Sequence, residues 1–197
     1  MHNRFQSLPF HALAPAARHV RPRQQFPDTV TADTPAVFVM TDLRQVPAVT
    51  VNTHLNITQA LERMQRKGVR MLFVTDQDDA VRGIITTTDI LGERPLRIIQ
   101  AGGGRRDDVL VSQVMTPHEQ LDALDLNDVL RARVGDIVAT LKAAARLHLL
   151  VVEGSAGQRT SVRGIFSATQ IGRLMSEPIE TLGRARNFAE IEHALHA

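Results

Sequence analysis

Arg82-Gly83-Ile84-Ile85-Thr86-Thr87-Thr88-Asp89-Ile90 comes back later in the chain as Arg163-Gly164-Ile165-Phe166-Ser167-Ala168-Thr169-Gln170-Ile171. In each copy a glycine precedes two apolar residues and a hydroxyl residue, and a further polar residue stands three positions beyond that hydroxyl. Working outward, Val39-Met40-Thr41 returns in the same order as Val114-Met115-Thr116. The offset from Met40 to Met115 is slightly shorter than that from Gly83 to Gly164, so the second copy has grown a little. Both offsets exceed the roughly 20 to 50 residues of solenoid repeats, which makes the chain two pseudo-symmetric units. The copies differ at one polar position, where Asp89 of the first is Gln170 of the second.

Each unit reads as β, α, β, β, α. In the first, Ala48-Val49-Thr50-Val51 is a short apolar stretch, and Asn56 is placed to cap a helix bearing Ile57, Ala60, Leu61 and Met64 at helical spacing. Gly68 closes that helix. Val69 to Val74 is a buried-strand run, Asp76 to Asp79 a polar turn and Val81 to Ile85 a second strand, which together make a hairpin. Thr86 to Asp89 offers side-chain oxygens where a following helix would start. In the second unit Val134, Ile137, Val138 and Leu141 mark the helix, Leu147 to Val152 the strand facing Val69 to Val74, and Ser161 to Ser167 its hairpin partner across the turn Glu153 to Gly157.

The expected fold is therefore α/β, two βαββα units with small sheets packed against helices. Residues 1–35 form an N-terminal extension, 36–100 the first unit, 101–108 a linker, 109–178 the second unit and 179–197 a C-terminal helical tail through Ile191 and Leu195. The extension holds Pro9, Pro15, Pro22, Pro27 and Pro35 with no sustained period, so it reads as flexible or loosely docked. The insertion from Arg97 to Asp108 contains Gly102-Gly103-Gly104-Arg105-Arg106. It lacks both the P-loop lysine with its Ser/Thr and the GxGxxG spacing, and reads as a linker rather than a phosphate loop.

Composition narrows the function. A chain of 197 residues that is 43% hydrophobic can bury a core, yet aromatics are only 4%, with no Trp or Tyr. That leaves little to stack on single-stranded nucleic acid. Lys+Arg 23 against Asp+Glu 21 is close to balance, with Lys67 and Lys142 the only lysines. Arginine suits bidentate binding of phosphate, although a codon bias is the favoured explanation of its abundance. The absence of cysteine removes disulfides, thiolate metal sites and a cysteine nucleophile, and fits a reducing cytoplasm. No apolar run approaches the roughly 18 residues of a membrane span. His193 and His196, with Glu190 or Glu192, make only a weak metal constellation and no HExxH pair occurs, so no metal is expected; His148, inside an apolar strand, reads as a core or cleft residue.

Two βαββα units, each opened by Val-Met-Thr and closed by Gly-apolar-apolar-Thr/Ser-x-x-Asp-like residues, resemble a tandem pair of CBS domains over roughly residues 36 to 178. The resemblance implies a disk-like regulatory module whose clefts bind adenosine-containing ligands, with no catalysis and no required cofactor. AMP, ADP, ATP or S-adenosylmethionine are the ligands it implies. The family pattern falls on Gly83, Thr86 and Asp89, the acid holding the ribose and the hydroxyl approaching phosphate. Ser167 and Gln170 then make a second, degenerate site.

The chemistry stands beside the resemblance. A carboxylate accepts hydrogen bonds from both ribose hydroxyls, each charge-assisted bond contributing about 1.5 to 3 kcal/mol, whereas an amide offers one uncharged oxygen. Val49, Met71 and Ile84 are candidate walls for the base, and Arg70, Arg82 and Arg163 candidate cations for the phosphate. Each has a plainer role: Asp89 and Thr86 as helix caps, the apolar residues as core and the arginines as strand-edge charges. The leading expectation is a nucleotide-sensing module that signals through a homodimer or an unknown effector protein. Against it stand a structural dimerisation module with a decayed ligand site and, last, nucleic-acid binding through the N-terminal arginines. An enzyme is disfavoured because no nucleophile with a paired base can be assembled.

Overall fold

Local chemistry places the first elements. The computed structural model describes Pro9, Ala12 and residues 24–154 and 160–180; the expected C-terminal helix and its histidines, most of the N-terminal extension and the tip of the second hairpin lie outside these. After the short strand β1 (Thr41–Asp42) come β2 (Thr50–Asn52) and helix α1 (Ile57–Lys67). The Asn56 side chain accepts the Gln59 N–H at 2.8 Å, and Gly68 ends α1 in the left-handed conformation at φ 65°. Ile57, Ala60 and Met64 form its buried face. The hairpin β3 (Met71–Thr75) and β4 (Val81–Thr86) leads into α2 (Thr87–Leu91) and then α3 (Glu93–Gly102). The stretch from Arg97 to Gly102, read from sequence as linker, is thus helix, and only Gly103 to Arg105 separate it from a 3-10 turn at Arg106–Asp108.

The second unit follows as α4 (Val111–Val114), β5 (Thr116–Pro117), β6 (Ala123–Asp125), α5 (Leu126–Val129), α6 (Val134–Ala143), β7 (His148–Glu153), β8 (Ser161–Ser167) and α7 (Ala168–Met175). Its hairpin register corrects the sequence alignment by one residue. Val74 lies opposite Gly83 and Val151 opposite Gly164, so Val74 corresponds to Val151 rather than Val152, and Met71 to His148. A one-residue slip in a strand exchanges its faces, so this decides which side chains point into the seam between the units.

The opening strands are exchanged. The two sheets are ordered β1-β8-β7-β6 and β2-β3-β4-β5, so each Val-Met-Thr segment joins the sheet of the other unit. Thr41 pairs with Ile165, and Thr116 with Ile84. The glycines of the repeated motif explain the fit. A Cβ on Gly83 would sit 2.4 Å from the Thr116 carbonyl oxygen, and one on Gly164 would sit 2.5 Å from Met40 Sδ and 2.9 Å from the Thr41 oxygen. The flanking segments cross as well: Ile57 N–H donates to Val109 O at 3.0 Å, and Ala36 N–H to Ala132 O at 2.9 Å.

The cores follow the exchange. One collects Ile57, Leu72 and Ile85 with Val109, Val111 and Val114; the other collects Leu149 and Phe166 with Val30, Val39 and Met40. A thin third layer, Phe73 and Ile84 against Leu150 and Ile165, joins the two sheets face to face. The N-terminal extension is docked from Gln24 onward. Gln24 Nε2 donates to Met40 O at 2.6 Å, its Oε1 accepts the Asp42 N–H at 2.8 Å, and Val30 is buried. Beside it, Arg163 on β8 holds Asp42 of the exchanged strand in a buried ion pair and reaches Glu153 at 3.4 Å.

Candidate functional site

Both copies of the repeated motif end at the same place. The starts of α2 and α7 face each other across the seam, and between them lies a groove of about 1020 Å3. Arg70, Met71 and Thr86 to Thr88 line it from the first unit; His148, Ser167, Gln170 and Arg173 line it from the second, with Gln24 and Phe26 at the rim. A smaller groove of about 730 Å3 at the hairpin-turn end of the seam is lined mainly by apolar residues such as Phe73, Leu121 and Leu150. The larger one gathers the polar turns, so the chemistry lies there.

On the first-unit side Asp89 is half-buried and locked in place. Its Oδ2 accepts the Thr86 N–H at 2.9 Å and the Thr86 hydroxyl at 2.7 Å, while its own N–H donates to Thr86 Oγ1 at 3.2 Å. This reciprocal capping box closes the start of α2 and leaves Oδ1 without a partner among the described residues. Opposite, Ser167-Ala168-Thr169-Gln170 has the spacing of the same box, yet the box is not made. Ser167 caps nothing. Gln170 Oε1 takes a long bond of 3.4 Å from the Thr41 hydroxyl, and the buried Gln170 Nε2 has no acceptor among the described residues.

The groove is lined by two arginines. Arg70 and Arg173 line it with no carboxylate partner among the described residues, and no carboxylate is itself part of the lining. Burial pushes the His148 imidazole below its ordinary value of 6.5; Asp89 works against that and Arg70 with it. Those two influences put His148 of the second unit within electrostatic reach of both first-unit groups.

The expected site residues divide. Thr86, Met71, Arg70, Ser167 and Gln170 line the groove, with Asp89 beside them. Gly83 lies under β5, Ile84 in the layer between the sheets, and Val49 against the first core. Arg82 donates to Asp76 at 2.7 Å at the exposed hairpin turn, and Arg163 is held by Asp42, so each cation is already paired with a carboxylate and neither lines the groove. Sequence reasoning did not reach Arg173, although it lies three residues beyond Gln170 on one face of α7. Phe26 and Gln24 carried no signal, because the extension lacks periodicity. No group of three or more metal-ligating side chains converges among the described residues, and no helix there is long and apolar enough to cross a membrane.

Residues 37–95 match the family model described as CBS domain. Residues 37–95 thus resemble a CBS domain, and the whole chain has the fold of two such units packed together. Solved structures agree on the fold. An uncharacterized conserved protein from Pyrococcus horikoshii shares 20% identity, with 77% of this chain and 99% of that one covered and a TM-score of 0.53. The CBS domain of a bacterial CNNM/CorC family Mg2+ transporter shares 13% identity over 74% of this chain and 78% of its own, at a TM-score of 0.51. CBSX2 from Arabidopsis thaliana has been solved in complex with AMP, at 20% identity over 71% of this chain and 93% of that one and a TM-score of 0.47. At these identities the likeness is one of fold. None of the curated proteins compared matches this chain.

Proposed function

We propose that this CBS pair is a regulatory module that binds an adenine nucleotide in the groove between its units and passes the binding on as a change of shape, through a second copy or an effector protein. The observation that carries the reading is the Oδ1 of Asp89, without a partner among the described residues and fixed by the capping box beside a groove lined by Arg70 and Arg173 and by no carboxylate among the described residues. The ribose hydroxyls donate to Asp89, and the α-phosphate lies towards Arg70 and the Thr86 turn. Met71 offers an apolar wall for the base. Binding shifts shape only through different affinities for two arrangements, and the seam between two units is where such arrangements differ. S-adenosylmethionine shares the ribose chemistry but brings no phosphate to the arginines, and ranks behind the nucleotides.

A structural dimerisation module is the second reading, favoured by one observation: Asp89 Oδ2 is fully engaged as a cap and needs no ligand to account for it. One experiment separates the two. Thermal unfolding with millimolar AMP, ADP or ATP raises the midpoint if the groove binds nucleotide, because a ligand that binds only the folded state stabilises it. Unchanged midpoints with all three decide for the structural reading. Mass spectrometry of small molecules released from purified protein identifies the ligand without a prior choice.

A further inference from the structure

The smaller groove, at the hairpin-turn end of the seam, shares no lining residue with the larger one. Its volume of about 730 Å3 is that of a small-molecule site, and Phe73 and Leu150 of the layer between the sheets bound it. Its two walls come from corresponding positions of the two units, yet they differ in chemistry. Val74 and Val151 each face the motif glycine of their own hairpin, so the residues that follow, Thr75 and Val152, correspond. Thr50 and Ala123 correspond as well, because they pair with Phe73 and Leu150. All four line the groove. The first unit therefore presents hydroxyls where the second presents hydrocarbon.

Thr75 is the residue that points to a ligand. It is 8% exposed, and no hydrogen bond among the described residues uses its hydroxyl. The enclosed side-chain atoms left without a partner there are Arg163 Nε and Gln170 Nε2, so the Thr75 oxygen keeps an opening to the groove it lines. Packing does not call for that oxygen, since valine has nearly the same shape and fills the matching place in the second unit as Val152. A hydroxyl set in an apolar wall without a partner offers an acceptor to whatever enters. Charge then selects the class of ligand. No arginine or lysine lines this groove, and Asp79, its one carboxylate, has no cation partner among the described residues. His118 at the rim lies 3.3 Å from Glu119. The other end of the seam has the reverse character, with two arginines and no carboxylate in its lining.

We propose that the turn-end groove is a second binding site, for a small apolar amine. The ammonium group donates to the Thr75 hydroxyl and the Asp79 carboxylate, and the hydrocarbon body lies against Phe73, Leu150 and Val152. The site is independent of the nucleotide reading above.

The chain has neither Trp nor Tyr, so the emission of an indole compound reports its binding without background. The test follows the fluorescence anisotropy of tryptamine, and of indole-3-propionate as the same ring with a carboxylate, on titration with the full chain. Tryptamine is expected to bind at least about fivefold tighter than the acid, a modest ratio because Asp79 is exposed to water. Thr75→Val copies Val152, and Asp79→Asn suits the left-handed backbone at that position, φ 58°, so both variants should fold as the wild type does. Each is expected to weaken tryptamine at least about threefold, and Asp79→Asn to remove most of the preference for amine over acid. Absence of tryptamine binding, equal binding of amine and acid, or wild-type affinity in either variant overturns the site. Displacement of tryptamine by AMP also overturns it, by placing the amine in the other groove. None of these results bears on Asp89, which lies at the opposite end of the seam.

Discussion

Asp89 has two roles to separate, and two substitutions separate them. In the wild type its Oδ2 takes two hydrogen bonds from Thr86, at 2.9 and 2.7 Å, while Oδ1 has no partner among the described residues. Asp89→Ala removes both acceptors and leaves only the bond from its own N–H to Thr86 Oγ1. Lost helix caps cost about 0.5 to 2 kcal/mol, and with part of the box surviving in a five-residue helix a value near 1 kcal/mol is expected. Asp89→Asn is different. Its amide oxygen still faces the Thr86 donors, so stability should change by less than about 0.5 kcal/mol. The other atom becomes an NH2 group, however, which donates where a ribose hydroxyl needs an acceptor, and the charge is gone. Losing one charge-assisted bond of about 1.5 to 3 kcal/mol means at least a tenfold loss of AMP affinity. Urea unfolding reports the first quantity and titration calorimetry the second. If Asp89→Asn binds AMP as well as the wild type while Asp89→Ala loses stability, Asp89 is a cap and nothing more.

Other perturbations follow from the same geometry. Gly83→Ala should lower stability by about 1 to 3 kcal/mol, because the new methyl meets the Thr116 carbonyl oxygen and β5 must move; an unchanged urea midpoint would show that β5 yields freely. Removing the partner of a buried charge typically costs about 3 to 5 kcal/mol, so Arg163→Met should destabilise by about 3 kcal/mol through the stranded Asp42 carboxylate; a loss under about 1 kcal/mol would mean that water reaches it. Burial alone would raise the Asp42 carboxyl, but bonds from the Arg44 N–H, Arg163 and Gln45, with the Arg163 charge, hold it below its ordinary 3.8. Its contribution is therefore present above pH 3.8 and disappears as pH falls through the lower folded value, a loss that Arg163→Met should reduce in acid unfolding curves. His148 is also depressed, chiefly by burial, so the unfolded chain takes up its proton first and stability declines as pH falls from about 6.5. His148→Met, which copies Met71 at the corresponding position, should flatten the urea midpoint between pH 7 and 5; an unaltered slope assigns that loss to other groups.

Local features were legible in the sequence because they are made of neighbours. Asn56 and Gly68 bracket α1 as expected, both hairpins form, and Thr86 and Asp89 meet at a helix start. What escaped depends on contacts distant in the chain. Val-Met-Thr reads the same whether it pairs with its own hairpin or its neighbour's, so periodicity says nothing about the exchange. The strand alignment was off by one because Val74, Val151 and Val152 are indistinguishable until the glycines opposite them set the register. Of the three arginines only Arg70 lines the groove, whereas Arg82 and Arg163 are captured by Asp76 and Asp42, the second of them 121 positions away.

The crossing of the two short strands makes each half of the polypeptide the template for the other. A cut within Gly103-Gly104, between α3 and the second Val-Met-Thr, would leave an N-terminal fragment lacking β5 and the valines at 109, 111 and 114, and a C-terminal fragment lacking β1 and Met40. Neither piece retains a closed hydrophobic interior, yet each holds the other's missing edge. Such fragments should remain largely unstructured apart and fold when mixed, which makes this chain a natural split reporter. A nucleotide seated in the seam would then act as the glue between the pieces.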